Sequence, residues 1–241
     1  MTENDPIKAI LFDKDGTLFD FRLTWIPIVR DFVDQLAGGN PRIADQLLQA
    51  AGYNAALDRF QADGPLAAGN SADIAAVWRT LLRSQSTTAD LQRQFDSFSL
   101  ARGPANSVPV CDLKKLFDNL LQEGLLLGLA TSDCEAATRV ALQRFDVVQA
   151  FSWICGYDSG LGVKPDPVVV HNYAAAVGLQ PVQIAVIGDT LHDMHMARGS
   201  GAGLAIAVLT GAVERDILAP QADLVLDSIA DLPAALRLGG A

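Results

Sequence analysis

Short apolar runs recur along the chain at Ile7–Phe12, Leu125–Ala130, Ile184–Ile187, Leu204–Leu209 and Leu224–Leu226. Each has the length of a strand, and most lack polar alternation, as strands buried on both faces do. They predict a parallel sheet. Between them apolar residues return at helical spacing. Leu113, Leu116, Phe117, Leu120 and Leu121 mark one helix that Gly124 stops, and Asp166-Pro167 opens another that runs to Gly178. Strand alternating with helix is the pattern of an α/β fold, whose ligand sites lie at the carboxyl ends of the strands.

From about Leu18 to Gly103 this alternation stops, and helical patterns follow one another with no convincing strand. Thr24 is placed to cap a helix carrying Trp25, Ile28, Val29, Phe32 and Leu36, with Pro27 in its first turn, where backbone N–H groups have no intrahelical partner. Asn40-Pro41 opens a second helix. Ile74, Val77, Trp78, Leu81 and Leu82 form a third stripe, and Leu91, Phe95 and Phe98 a fourth, preceded by Thr87 with Asp90 three residues on. The expected organisation is an α/β core from residues 1–17 and 104–241 with a helical insert at 18–103. Gly16–Asp20 leads out and Ala101–Pro109, with Gly103, Pro104 and Pro109, leads back.

The 241 residues suffice for one large domain or two modest ones, and 50% hydrophobic residues can fill a core. The formal charge of −10, with no Lys/Arg-rich run, argues against nucleic acid or an anionic membrane as partner, since both need a basic footprint. No segment approaches the length of an apolar span, and the acidic start MTENDPIKAI lacks the pattern of a signal peptide. Three widely spaced cysteines, Cys111, Cys134 and Cys155, fit reduced thiols and a cytoplasmic protein.

Candidate chemistry begins where the first strand ends, in Phe12-Asp13-Lys14-Asp15-Gly16-Thr17. Two carboxylates this close raise each other's pKa unless a cation holds them ionised, so they imply either a hard divalent cation or an acid among the pair. A second acidic pair, Asp189 and Asp193, follows the strand Ile184–Ile187 with the spacing of one helical turn. Four carboxylates at two strand ends make a magnesium site, because Mg2+ takes carboxylates together with water and substrate phosphate. Thr131-Ser132 follows another strand, and Lys164 stands in Gly162-Val163-Lys164-Pro165-Asp166-Pro167. Hydroxyl, backbone N–H and ammonium are the groups that hold phosphate oxygens.

In this order the four segments resemble the haloacid dehalogenase superfamily of phosphotransferases, whose motifs read Asp-x-Asp-Gly-Thr, a Thr or Ser after an apolar strand, a Lys, and Gly-Asp-x-x-x-Asp. Here they are Asp13/Asp15, Thr131, Lys164 and Asp189/Asp193. The resemblance implies a Rossmann-like parallel sheet with helices on both faces, plus an inserted α-helical cap. It also implies a Mg2+-dependent phosphatase of small phosphorylated metabolites, monomeric or homodimeric, most similar to the phosphoglycolate phosphatase branch. Asp13 would be the nucleophile and Asp15 the acid and base, with Asp13, Asp15 through its backbone carbonyl, Asp189 and Asp193 about the metal. Gly16, Thr131, Ser132 and Lys164 would hold the phosphate. Asp20, Arg22 and Trp25, just beyond the first motif, are the candidates for contacts to the leaving group.

Asp15 is present, whereas members that cleave carbon–halogen bonds lack it, and residues 18–105 contain no Lys for Schiff-base chemistry. Sugar-phosphate phosphotransferases or phosphomutases of the family resemble this core, but they take a His and a Lys from hinge and cap. All three histidines here lie beyond residue 170. A phosphate-binding or phospho-aspartate regulatory module is the other class, against which the length and the insert speak. His192 and His195 bracket Asp193, but among hard oxygen ligands they read as a rim contact and a packing residue. Cys134 stands where a helix start can lower a thiol pKa, though a small half-buried side chain is the plainer reading.

Overall fold

Ala9 and Leu11 of the first strand pack into one apolar cluster while Ile10 and Phe12 pack into another, so this strand is buried on both faces of the sheet. The computed structural model describes residues 7–56, 59–61, 64–82 and 86–236. Its strands are β1 (Ala9–Phe12), β2 (Tyr53–Asn54), β3 (Arg59–Phe60), β4 (Leu126–Ala130), β5 (Phe151–Cys155), β6 (Ile184–Gly188), β7 (Leu204–Val208) and β8 (Leu224–Leu226). Six of them form a sheet in the order β5-β4-β1-β6-β7-β8, and every neighbouring pair is parallel.

The helices before β4 are α1 (Phe21–Leu36), α2 (Pro41–Ala50), α3 (Pro65–Ala68), α4 (Ser71–Leu82) and α5 (Thr88–Asn106), with α6 (Leu113–Gln122) leading into it. After it come α7 (Glu135–Arg144), α8 (Val168–Val177), α9 (Leu191–Ser200), α10 (Arg215–Leu218) and α11 (Leu232–Ala235). Leu116, Phe117 and Leu120 of α6 cover one face of the sheet; Val170 and Tyr173 of α8 with Met194 of α9 cover the other. The helix expected after Asp166-Pro167 ends at Val177, and Gly178 takes the left-handed conformation that closes it.

Helices α1 to α5 hold a separate apolar cluster around Phe32, Leu47, Trp78 and Phe95. Trp78 is fully buried, and its indole N–H donates to the Leu47 carbonyl at 3.0 Å. The Thr87/Asp90 capping box and the Asn40 cap form as their spacing predicts.

Four expectations need correction. Strand β5 is absent from the sequence reading because Phe-Ser-Trp-Ile-Cys is a sheet-edge strand whose Ser152 is exposed, so its apolar run is broken. The block of helices contains a small antiparallel pair, β2 with β3, and two-residue strands leave no periodicity to read. Asp20, not Thr24, caps α1: its carboxylate accepts from the Leu23 N–H at 2.8 Å, and Pro27 lies in the second turn. Helix α5 continues through Gly103 and Pro104 to Asn106, because the N–H and hydroxyl of Ser107 both close on the Gly103 carbonyl, at 2.9 and 2.8 Å. Leu18 and Phe19 are buried in the sheet's own cluster. The chain therefore crosses between the two clusters near Asp20 and Ser107, where Asp20 N–H meets the Val108 carbonyl at 2.8 Å.

Candidate active site

Strand β1 lies between β4 and β6, where the chain stops adding strands on one side and starts on the other. A crevice opens at the carboxyl ends of the strands at such a reversal. Asp13 follows β1, Thr131 follows β4 and Asp189 follows β6, so three of the expected residues meet there by topology alone. Lys164 arrives from the loop between β5 and α8.

Asp13 is buried, and its carboxylate accepts from Lys164 Nζ and from Thr17 Oγ1, the latter at 3.3 Å. Lys164 also donates to Asp193 Oδ1 at 2.9 Å. The other oxygen of Asp193 accepts from the N–H and hydroxyl of Thr190, at 3.1 and 2.6 Å. Both oxygens of Asp193 thus already have donors. Asp189 is buried as well, and its Oδ1 has no hydrogen-bond partner. A methyl group at Gly16, whose φ is +85°, or at Gly211 would collide with the Asp189 carboxylate, so the backbone presses against this side chain from two directions.

Asp13, Asp189 and Asp193 each place an oxygen within 4.8 Å of the others. Burial pushes Asp13 up to about 6 against the pull of Lys164, and burial with the neighbouring Asp13 and Asp193 charges pushes Asp189 well above the carboxylate range. Burial opposes the Lys164 ammonium, but Asp13 and Asp193 outweigh it and hold the group above its ordinary value. The cluster therefore carries more acid than its lysine balances. With the orphaned Asp189 oxygen and an all-oxygen donor set, these residues fit a hard divalent cation such as Mg2+.

Lys14, Asp133 and Thr17 escaped the sequence reading. Lys14 is buried and pairs with Asp15 at 2.9 Å and Asp133 at 2.8 Å, and its Nζ lies 5.7 Å from the centre of the Trp25 ring. Burial works against its charge, yet the two carboxylates keep it fully protonated. An ammonium between two acids at a strand end, and an acid two residues past Thr131, were the available signals. This pairing leaves Asp15 Oδ1 buried and without a partner at the edge of the crevice.

The crevice is a cleft between the strand ends and the helical block. Asp13, Asp15, Thr131, Ser132, Lys164 and Asp189 all line it. Thr131 Oγ1 accepts from the Asp133 N–H at 3.1 Å, which leaves its hydroxyl proton to donate elsewhere. Gly16 does not serve in the same way, since its N–H donates to the Phe19 carbonyl at 2.7 Å and its carbonyl accepts from Thr210. Of the three expected leaving-group residues only Trp25 lines the cleft. Asp20 is occupied as the α1 cap, and Arg22 lines a separate groove beside Phe60 and Arg215. His192 lines the cleft while His195 is exposed, so the two imidazoles do not share a site.

The thiols behave opposite to an activated nucleophile. Burial pushes Cys111, Cys134 and Cys155 each to about 11, and Asp133 adds to the effect at Cys134. At pH 8 such groups hold about 100-fold less thiolate than an ordinary cysteine. Thiol titration of the folded protein with Ellman's reagent should be slower than that of free cysteine by at least this factor; rapid reaction of one equivalent would contradict it.

The family profile of the haloacid dehalogenase-like hydrolases matches residues 7–201. A phosphoglycolate phosphatase of Vibrio vulnificus (strain CMCP6) is 28% identical over 243 residues, covering 96% of each chain. The fold is similar to that of a predicted phosphoglycolate phosphatase from Haemophilus somnus 129pt, with a TM-score of 0.71 at 20% identity over 95% of this chain and 97% of that one. It is similar too to CbbY from Rhodobacter sphaeroides, solved in complex with phosphate, with a TM-score of 0.68 at 20% identity over 96% and 100%.

Proposed function

The chain belongs to the haloacid dehalogenase-like hydrolase family, and from that premise we propose that it is a Mg2+-dependent phosphatase of small phosphorylated metabolites, working through an aspartyl phosphate on Asp13. The observation that carries this reading is the pairing of Asp13 with Lys164 inside a buried acidic cluster, with the unpartnered Asp15 oxygen beside it. We take the helical block as the cap and the sheet with its own helices as the core, with the crossings near Asp20 and Ser107 rather than at residues 18 and 103. Free thiols among the described residues favour a cytoplasmic setting.

Asp13 and Asp189 would hold Mg2+, with the Asp15 backbone carbonyl as a further oxygen. Asp193 would position Lys164, one of its oxygens accepting from that ammonium and the other from Thr190. When bound, the ion offsets the repulsion between phosphate and carboxylates and draws charge from the transferring group. Lys164 keeps Asp13 ionised, and Thr17 orients it. An Asp13 oxygen then bonds to phosphorus in line as the ester P–O bond breaks, and Asp15 passes a proton to the departing alkoxide. Asp15, now a carboxylate, takes a proton from water, whose oxygen attacks phosphorus and releases Asp13 and inorganic phosphate. Thr131, Ser132 and Lys164 hold the equatorial oxygens while charge gathers there. A long-lived aspartyl phosphate of the signalling kind fits less well, since Asp15 stands ready to activate water.

Phosphate release from a panel of phosphomonoesters, with Mg2+ and with chelator, tests this reading. Turnover should fall by at least about 10³-fold on chelation and return with Mg2+. Mg2+ should also raise the thermal midpoint, because it binds the folded cluster only. Turnover unaffected by chelator would remove the metal from the reading.

A further inference from the structure

On the cap side the cleft is walled by Trp25 of α1, Ile74 of α4, and Phe95, Asp96 and Ser99 of α5. Two polar atoms in this wall are buried without any hydrogen-bond partner: the indole Nε1 of Trp25 and the hydroxyl of Ser99, whose residue is 3% exposed. An unmet buried donor is costly, and inside a ligand cleft the ligand is what meets it. Trp25 can only donate, whereas Ser99 can donate or accept.

Asp96 is the charged side chain that the described cap residues bring to this wall; they bring no Lys or Arg. Its Oδ2 accepts from the Tyr157 hydroxyl of the core at 2.6 Å, and Tyr157 in turn accepts from Gln92 at 3.2 Å. Burial pushes that phenol up to about 12, so it stays a donor and keeps Asp96 aimed at the cleft. Asp15 and Asp133 line the same cleft, and the neighbouring Lys14 is already committed to those two. A leaving group bearing its own carboxylate would meet three acids here, and like charges at close range are strongly unfavourable. Lys14 and Lys164 are already paired to carboxylates of the protein, and the His192 imidazole is the remaining basic group of the lining.

We propose that the leaving group is a neutral, polyhydroxylated alcohol. Its hydroxyls would donate to Asp96, accept from the Trp25 indole and exchange hydrogen bonds with Ser99, while its C–H face packs on Trp25, Ile74 and Phe95. This inference rests on the phosphatase reading and narrows it to esters unlike phosphoglycolate. The reaction is the same: the ester P–O bond breaks, and the polyol leaves with the proton from Asp15.

The test compares kcat/KM for glycerol 3-phosphate with that for 3-phosphoglycerate, which carries a carboxylate in place of CH2OH. Phosphoglycolate, phosphoethanolamine and p-nitrophenyl phosphate complete the set. The polyol ester should exceed both carboxylated esters by at least about tenfold. Asp96→Asn should shrink that ratio about tenfold, and Ser99→Ala should raise KM for the polyol ester with little change in kcat. Equal or better turnover of a carboxylated ester, or phosphoethanolamine as the best substrate, would overturn the polyol inference. The phosphatase reading would survive either result. An Asp96→Asn ratio equal to that of the wild type, with Ser99→Ala also silent, would overturn it too. Failure to release phosphate from every ester, p-nitrophenyl phosphate included, would sink the phosphatase reading and this inference together.

Discussion

Asp13→Asn is expected to lower phosphate release by at least about 10⁴-fold while leaving the thermal midpoint of the metal-free protein at or above that of the wild type. The first effect follows because the amide cannot form the covalent intermediate, and loss of a nucleophile removes most of the rate that such a site supplies. The second follows from burial. Asp13 sits among Asp189, Asp193 and Asp15 with its carboxyl pushed up to about 6, so at pH 7 its charge costs the fold stability. An amide of the same shape removes that charge and still accepts from Lys164. Assay of phosphate release beside a thermal melt checks both parts. Near-normal turnover would remove Asp13 as nucleophile, and a large drop in midpoint would mean that its charge supports the fold.

Lys164→Met is expected to do the reverse to stability and to cost activity as well. Removing the one ammonium shared by Asp13 and Asp193 leaves buried carboxylates uncompensated, a loss of about 3–5 kcal/mol by analogy with other broken buried pairs. Turnover should fall by about 10²–10³-fold through loss of phosphoryl charge stabilisation. The pH dependence has a definite sign. A carboxyl whose folded pKa lies above its unfolded value binds its proton more tightly in the fold, so stability falls as pH rises through that window. Lys164 is the main influence lowering Asp13, hence its removal widens the window upward from about 6. The midpoint difference between variant and wild type, measured without metal, should therefore be largest near pH 8 and shrink toward pH 5. A difference that grew on acidification would exclude the Asp13–Lys164 pair as its source.

The legible part of the site was the part encoded locally. Asp13, Thr131 and Asp189 each stand directly after an apolar run, and a run buried on both faces places its next residue at the rim of the sheet. The helix caps at Asn40 and Thr87 were legible for the same reason: a cap is a hydrogen bond within three residues. Strand β5 was not, because an edge strand exposes some of its residues and loses the run. The end of α5 was missed because the hydrogen bonds of Ser107 to Gly103 and the packing of α5 on α7 outweigh the local signal of glycine followed by proline.

The cleft divides in the same way. Proximity in sequence put Asp20 and Arg22 forward as leaving-group contacts, yet Asp20 spends its carboxylate on a helix start and Arg22 faces another groove. The residues that wall the cleft, Ile74, Phe95, Asp96 and Ser99, carry no motif and reach it only because α4 and α5 fold back over the strand ends. Local patterns along the chain were enough for the parallel sheet, the helical insert and the acid, hydroxyl and lysine positions, since each depends on interactions over a few residues. Which acids share one lysine, where Lys14 is neutralised and what faces the leaving group were decided by the tertiary structure. Those depend on burial and on distances between segments more than a hundred residues apart, as between Lys14 and Asp133 or Asp13 and Lys164.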